Sequence, residues 1–286
     1  MHRIEQIAIV GCGLIGGSLG LALKKRGLAG KVVGIGRDKT RLLRAMELGV
    51  VDEMSTDLRE GIDGVKMVVM ATPASVILEM TPKLLPHLSE GCVVTDVGST
   101  KGEIVERLTP LFRTGVYFVG GHPIAGSEVT GVEGADGDLF EGATCVLTPI
   151  NQTDKDALFC VREMWMALGA KVIEMDPSKH DLILGITSHL PHIAAFALSR
   201  LASGHQKKYE DLLPLCIGSG FRDTTRIAGS SPILWRDICL SNREVLLDLL
   251  DRLKEDLSYF RDLIEKDKSE ELLEELRKIG EWRKRF

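Results

Sequence analysis

The chain has 286 residues, 44% of them hydrophobic and 27% charged, with a net charge of −5. That length suits one large domain or two ordinary ones, the composition suits a globular protein, and the negative balance argues against nucleic acid, which needs a basic face. No stretch reads as a membrane span. The start MHRIEQIAIVGCG runs straight into a strand and a glycine loop, so no signal peptide and a cytoplasmic location are expected.

Residues 7–10 form a short apolar run, followed at once by Gly11-Cys12-Gly13-Leu14-Ile15-Gly16 and a helical stretch at 18–26. A strand, GxGxxG and a helix in that order are the context of a dinucleotide-binding turn. Gly11 permits the tight turn, Gly13 lets the backbone reach a pyrophosphate, and Gly16 lets helix and strand pack closely. Leu14 and Ile15 lie within the same loop, and the helix N-terminus offers free N–H groups to phosphates. The competing reading is a glycine turn without a ligand.

The next strand, at 31–35, ends in Gly36-Arg37-Asp38. An NAD enzyme usually carries an acid where Gly36 stands. Arg37 suits a 2′-phosphate, whereas Asp38 could still reach a ribose hydroxyl. The tip tilts the cofactor toward NADP and leaves NAD open.

Further strands are expected at 66–71, ending in Thr72-Pro73, and at 92–97, leading into Gly98-Ser99-Thr100-Lys101. Others follow at 117–119, 144–147 and 171–175. With the helices between them they predict an α/β fold, a Rossmann-type, doubly wound parallel sheet. The sixth strand runs into GGHPIAG at 120–126, which places His122 in a turn of glycine and proline. Ligands bind past the carboxyl ends of such strands, and Thr72, Ser99 and His122 all fall on that rim. His122 could take a proton as hydride leaves, or simply bond a nearby carbonyl. Ser99 could equally cap a helix starting at 101.

Asp176-Pro177 is a strong helix start, and no convincing strand follows. The expected division is 1–175 for the dinucleotide-binding domain and 176–286 for an all-α domain. Within 180–201, Asp181, Ser188 and His192 would share one stripe of a straight helix, with His189 beside it. Pro191 should kink or divide that helix. Arg222 and Arg226 are spaced to share a helix face, and guanidinium groups suit carboxylates. Leu246, Leu250, Leu253, Leu257, Phe260 and Ile264 alternate steps of four and three, a seam for a partner subunit or for the domain interior. The six cysteines (Cys12, Cys92, Cys145, Cys160, Cys216, Cys239) form no CxxC pair and no metal-ligand spacing, so reduced thiols and no metal are expected.

Four segments, DVGSTK at 96–101, GGHPIAGSEVTGVE at 120–133, SHLPH at 188–192 and GFRDTTRIAGSSPILWRDI at 220–238, make the chain resemble the prephenate and arogenate dehydrogenases of tyrosine biosynthesis nearly end to end. The resemblance implies a Rossmann-type domain and a helical domain that forms a homodimer. It implies that His122 accepts the proton of the substrate's ring hydroxyl and that Ser99 helps hold that hydroxyl. Ser188, His189 and His192 would line the substrate site, Arg226 would pair with a carboxylate, and Ser127 and Glu128 would belong to the same wall. The substrate would be prephenate, arogenate or both, with tyrosine a candidate feedback ligand; an acid such as Asp181 could favour the amine of arogenate. Two other readings compete. A β-hydroxyacid dehydrogenase usually relies on a lysine in its helical domain, and 180–201 contains none. A non-catalytic dinucleotide sensor would not need His122, Ser99 and Arg226 together.

Overall fold

The computed structural model of the chain describes all residues except 1, 2, 127, 128, 130 and 286. The strands β1 (Ile4–Val10), β2 (Ala29–Ile35), β3 (Glu53–Ser55), β4 (Met67–Met70), β5 (Cys92–Asp96) and β6 (Val116–Val119) form a parallel sheet in the order β3-β2-β1-β4-β5-β6. The chain winds outward from β1 to β3, then returns to the other side of β1 as β4. That reversal opens a crevice between the carboxyl ends of β1 and β4, where Val10 pairs with Met70. The helices α1 (Leu14–Lys25), α2 (Lys39–Glu47), α3 (Leu58–Gly61), α4 (Ala74–Leu84), α5 (Gly102–Leu108) and α6 (Lys155–Ala167) belong to this half.

Alternation along β1 explains the layering. Ile7 and Ile9 face one core with Leu19, Leu23 and Trp165, while Ala8 and Val10 face the other with Ile77, Leu84 and Leu108. A central strand covered on both sides carries no polar face, which is why residues 7–10 of β1 and all of β4 are unbroken apolar runs.

The expected single parallel sheet is corrected beyond β6. A second sheet holds β7 (Gly121–Ile124), β8 (Thr144–Leu147) and β9 (Lys171–Glu174), with β7 antiparallel to β8 and β8 parallel to β9. The chain bends at Gly120, whose carbonyl accepts from Thr148 N at 2.9 Å and where any Cβ would collide with the Thr148 hydroxyl. His122 therefore sits in a strand rather than a turn. Pro123 is tolerated because β7 is an edge strand and its missing N–H costs no ladder bond inside the sheet.

The second half contains α7 (Pro177–Leu184), α8 (Leu190–His205), α9 (Ser219–Thr225), α10 (Pro232–Ser241), α11 (Arg243–Glu265) and α12 (Ser269–Arg283). Asp176 caps α7 by accepting from Ser178 N and Lys179 N, with Pro177 in the first turn. A π-helical turn, Gly185–His189, joins α7 to α8 just before Pro191. Proline has no N–H for the carbonyl one turn back, and a widened turn absorbs that loss. The wider turn also rotates everything after it, so Asp181 is buried while Ser188 and His192 are only half-buried, and the straight-helix stripe does not form.

The run Pro177–Lys208 is long and apolar enough by composition to cross a membrane, with mean hydropathy 1.5, contrary to the sequence expectation. It nonetheless carries His180, Asp181 and His189 buried among polar partners. Only 22% of that apolar window is buried, and Leu198 and Leu201 lie exposed. The seam on α11 divides likewise: Leu246 is buried, whereas Leu257 and Ile264 are 60% and 67% exposed.

Candidate active site

The glycine loop is shaped by backbone sterics. Gly11 has φ +99, a conformation that side chains rarely adopt, and a Cβ on Gly16 would strike the Gly11 carbonyl. Around Gly13, in contrast, nothing lies within 4 Å of a Cβ position, so the space above that residue is open. Gly13 is also the N-cap of α1, with no side-chain cap and no acid in the first turn, which Leu14 and Ile15 begin. The unpaired N–H groups there suit an anion. Across the crevice, the Thr72 hydroxyl is buried without a hydrogen-bond partner, and Pro73 is the N-cap of α4. An open glycine cradle, an uncapped helix and an orphaned hydroxyl together fit a dinucleotide.

At the tip of β2, Gly36 is half-buried and Arg37 exposed. Asp38 is already engaged. It caps α2 by accepting from Arg41 N at 3.2 Å and pairs with Arg41 Nε at 3.3 Å.

His122 is buried at the start of β7, and its Nδ1 meets Nε2 of His180 at 2.9 Å. His180 Nδ1 in turn meets Asp181 Oδ1 at 2.8 Å. Asp181 also accepts from the backbone N–H groups of Lys101 at 2.7 Å and Gly102 at 2.8 Å. The N-terminus of α5 is thus capped from α7, not by Ser99, which lies half-buried two residues earlier. Asp181 is committed to three partners and is not placed to select an amine. Burial, reinforced by His180, Lys101 and His189, holds the His122 imidazole well below the usual histidine range, so it is neutral at physiological pH and able to accept a proton.

Lys101 pairs with Asp96, and both side chains are fully buried. Asp96 further accepts from Gly98 N at 2.8 Å and Gly121 N at 3.1 Å. One carboxylate therefore ties together the end of β5, the loop carrying Ser99 and the start of β7. A buried ion pair of this kind is tolerable only when its remaining lone pairs are satisfied, as they are here.

The helical half closes the site from the other side. His189 Nδ1 lies 2.9 Å from Asn242 Nδ2, and burial above all pushes its pKa down to about 4. The His192 ring stacks on Trp235 with centroids 3.5 Å apart, and His192 Nδ1 donates to the Ser188 carbonyl at 2.8 Å. Burial, opposed by that carbonyl and helped by the charge of Arg226, lowers the pKa of His192. Arg226 is the C-cap of α9, where its N–H donates to the Arg222 carbonyl, so the two arginines lie one turn apart on the same face before a short 3-10 turn begins. Ser127 and Glu128 lie outside the described residues. The two halves are latched by Ser75, whose hydroxyl donates to Asp237 at 2.6 Å, and by the pair Thr100 and Ser241 at 2.9 Å.

His180, Lys101, Asp96 and Asn242 escaped the reading of single positions. Asp96 and Lys101 were visible only as parts of DVGSTK, and His180 only as the neighbour of Asp181. Nothing in the spacing shows that β5, β7, α5, α7 and α11 converge.

The family model for the prephenate dehydrogenase nucleotide-binding domain matches residues 19–174, and the one for the prephenate dehydrogenase dimerization domain matches 176–278. A prephenate dehydrogenase of Bacillus subtilis (strain 168) is 35% identical over 280 residues, covering 98% of this chain and 75% of its own. The crystal structure of prephenate dehydrogenase from Aquifex aeolicus, in complex with hydroxyphenyl propionate and NAD+, aligns with TM-score 0.92 and 37% identity over 99% of this chain and 98% of that one. Synechocystis arogenate dehydrogenase aligns with TM-score 0.82 and 36% identity over 98% and 99%. The chain belongs to the prephenate dehydrogenase family.

Proposed function

We propose that this NAD(P)-dependent oxidoreductase oxidatively decarboxylates prephenate, or its amino counterpart arogenate, with His122 as the general base. The observation that carries the reading is the buried neutral imidazole of His122, its Nδ1 taken by His180, at the carboxyl end of the sheet beside an open glycine cradle. Prephenate is a cyclohexadienol with a carboxylate opposite its ring hydroxyl. The bound nicotinamide supplies the hydride acceptor. His122 takes the hydroxyl proton, Ser99 hydrogen-bonds the same oxygen, and loss of CO2 leaves an aromatic ring. Aromatisation drives the sequence forward, so the protein's task is orientation and one proton transfer.

Arg226 pairs with a substrate carboxylate, while Ser188, His189 and His192 line the pocket with Ser127 and Glu128. Gly11, Gly13, Leu14, Ile15, Gly16, Thr72 and Pro73 hold the dinucleotide. At the ribose, Gly36 offers no carboxylate and Asp38 is spent on capping α2, which supports NADP being used at least as well as NAD through Arg37. Tyrosine, carrying a phenol and a carboxylate, would compete for the same groups. We divide the chain at 175/176, where Asp176 caps α7, and assign homodimerisation to the exposed apolar faces of α8 and α11. Six free thiols support a cytoplasmic location.

The test follows reduced-nicotinamide absorbance with prephenate, arogenate and a β-hydroxy acid as substrates. Turnover with either of the first two and none with the third is expected. Turnover with the β-hydroxy acid alone would favour that class, and turnover with none would favour a sensor.

A further inference from the structure

Among the described histidines, His180 is the one whose two ring nitrogens both have side-chain partners: Asp181 on Nδ1 at 2.8 Å and His122 on Nε2 at 2.9 Å. The direction of that chain of bonds follows from its far end. Backbone N–H groups only donate, so Asp181 Oδ1, facing Lys101 N, and Oδ2, facing Gly102 N, are both acceptors. His180 Nδ1 must then carry the proton it shares with Asp181. A neutral His180 is left with a lone pair on Nε2, and only a proton on His122 Nδ1 can satisfy it. His122 is consequently held as the Nδ1–H tautomer with Nε2 unprotonated. Burial, with the positive charge of nearby Lys101 among the causes, disfavours a charge on the His122 ring.

We propose that His180 and Asp181 are positioning residues which fix the tautomer and ring orientation of His122, so that Nε2 faces the substrate hydroxyl as a base. This rests on the reading of His122 as the general base. The arrangement has a cost in robustness: a base with the wrong tautomer would offer an N–H where a lone pair is required, and turnover would stop without any loss of substrate binding. It also couples the two halves of the chain, since the base is on β7 and its orienting pair on α7.

Two substitutions separate positioning from structural support. His180→Gln places an amide oxygen near the Nε2 position, where it can accept from His122. His180→Asn places its amide near the Nδ1 position, where it can keep the contact with Asp181 but not reach His122. Positioning predicts that Gln retains turnover within about tenfold of wild type while Asn loses about 10²-fold or more in kcat, both with little change in KM. A purely structural role predicts the reverse order, because Asn preserves the bond to Asp181. A 15N spectrum of the wild-type protein should show His122 protonated on Nδ1. Asn equal to or better than Gln, or a spectrum showing His122 protonated on Nε2, would overturn the proposal. His122→Asn run in parallel keeps the two ideas apart: if that variant is active, the base assignment fails, whereas a dead His122→Asn beside an active His180→Asn refutes only the positioning pair.

Discussion

Asn242 Nδ2 donates to Nδ1 of His189 at 2.9 Å and to the carbonyl of Asp181, also at 2.9 Å. Because the second bond fixes which way the amide points, His189 Nδ1 faces a donor and must remain an acceptor. Protonating it would set N–H against N–H in a buried place, which adds to the burial that pushes its pKa down to about 4. The folded state therefore binds fewer protons than the unfolded state below the ordinary histidine value. Stability should be flat above about pH 6.5 and fall as pH drops toward 4, by on the order of 3 kcal/mol from this residue, with His122 acting in the same direction. Thermal unfolding across that range checks it, and His189→Gln should flatten the slope. A midpoint that does not move between neutral and mildly acidic pH would contradict this account.

His122→Asn should leave cofactor binding intact and lower turnover by about 10²–10⁴-fold. Wild-type rate should rise with pH through one ionisation lying below the ordinary histidine value of about 6.5, because burial and the neighbouring His180 and Lys101 disfavour the charged ring. The sequence alone would put that limb near free imidazole. A pH profile of kcat/KM locates it, and the variant should lack it.

Arg226→Ala should act on substrate affinity, since removing the partner of a carboxylate in a closed site costs about 2–5 kcal/mol. KM and kcat/KM measured for prephenate report it directly. Unchanged values would place the carboxylate elsewhere.

NADP should serve at least as well as NAD. Gly36→Asp with Arg37→Ile should swing preference to NAD, each change worth about 1–2 kcal/mol at a partly exposed site. The ratio of kcat/KM values for the two cofactors is the measurement, and a wild-type preference for NAD of about tenfold (about 1.4 kcal/mol) or more would reverse the reading of this loop.

Leu257→Glu should yield monomers without unfolding the chain. The residue is 60% exposed on α11, so a charge there meets water in the single chain and a partner only in the dimer. Light scattering and circular dichroism together check it; a dimer of unchanged affinity would move the interface off this seam.

What the sequence determined by itself was local and periodic. The βα units, the glycine loop and the Asp176-Pro177 helix start are each dictated by a few adjacent residues whose sterics and capping chemistry act over one turn or less. The motif segments carrying Ser99, His122 and Arg226 were legible for the same reason. Tertiary structure alone decided which strands belonged together. Short runs of β-forming residues mark β8 and β9 as strands but carry no information about their partners, and the bend at Gly120 goes with their joining β7 in a second sheet. It also decided the electrostatics of the base. His180 lies 58 positions from His122, and Asp181 caps a helix that starts 79 positions before it. A proton's preferred nitrogen depends on that chain of buried bonds, and buried bonds between distant segments exist only once the chain has folded.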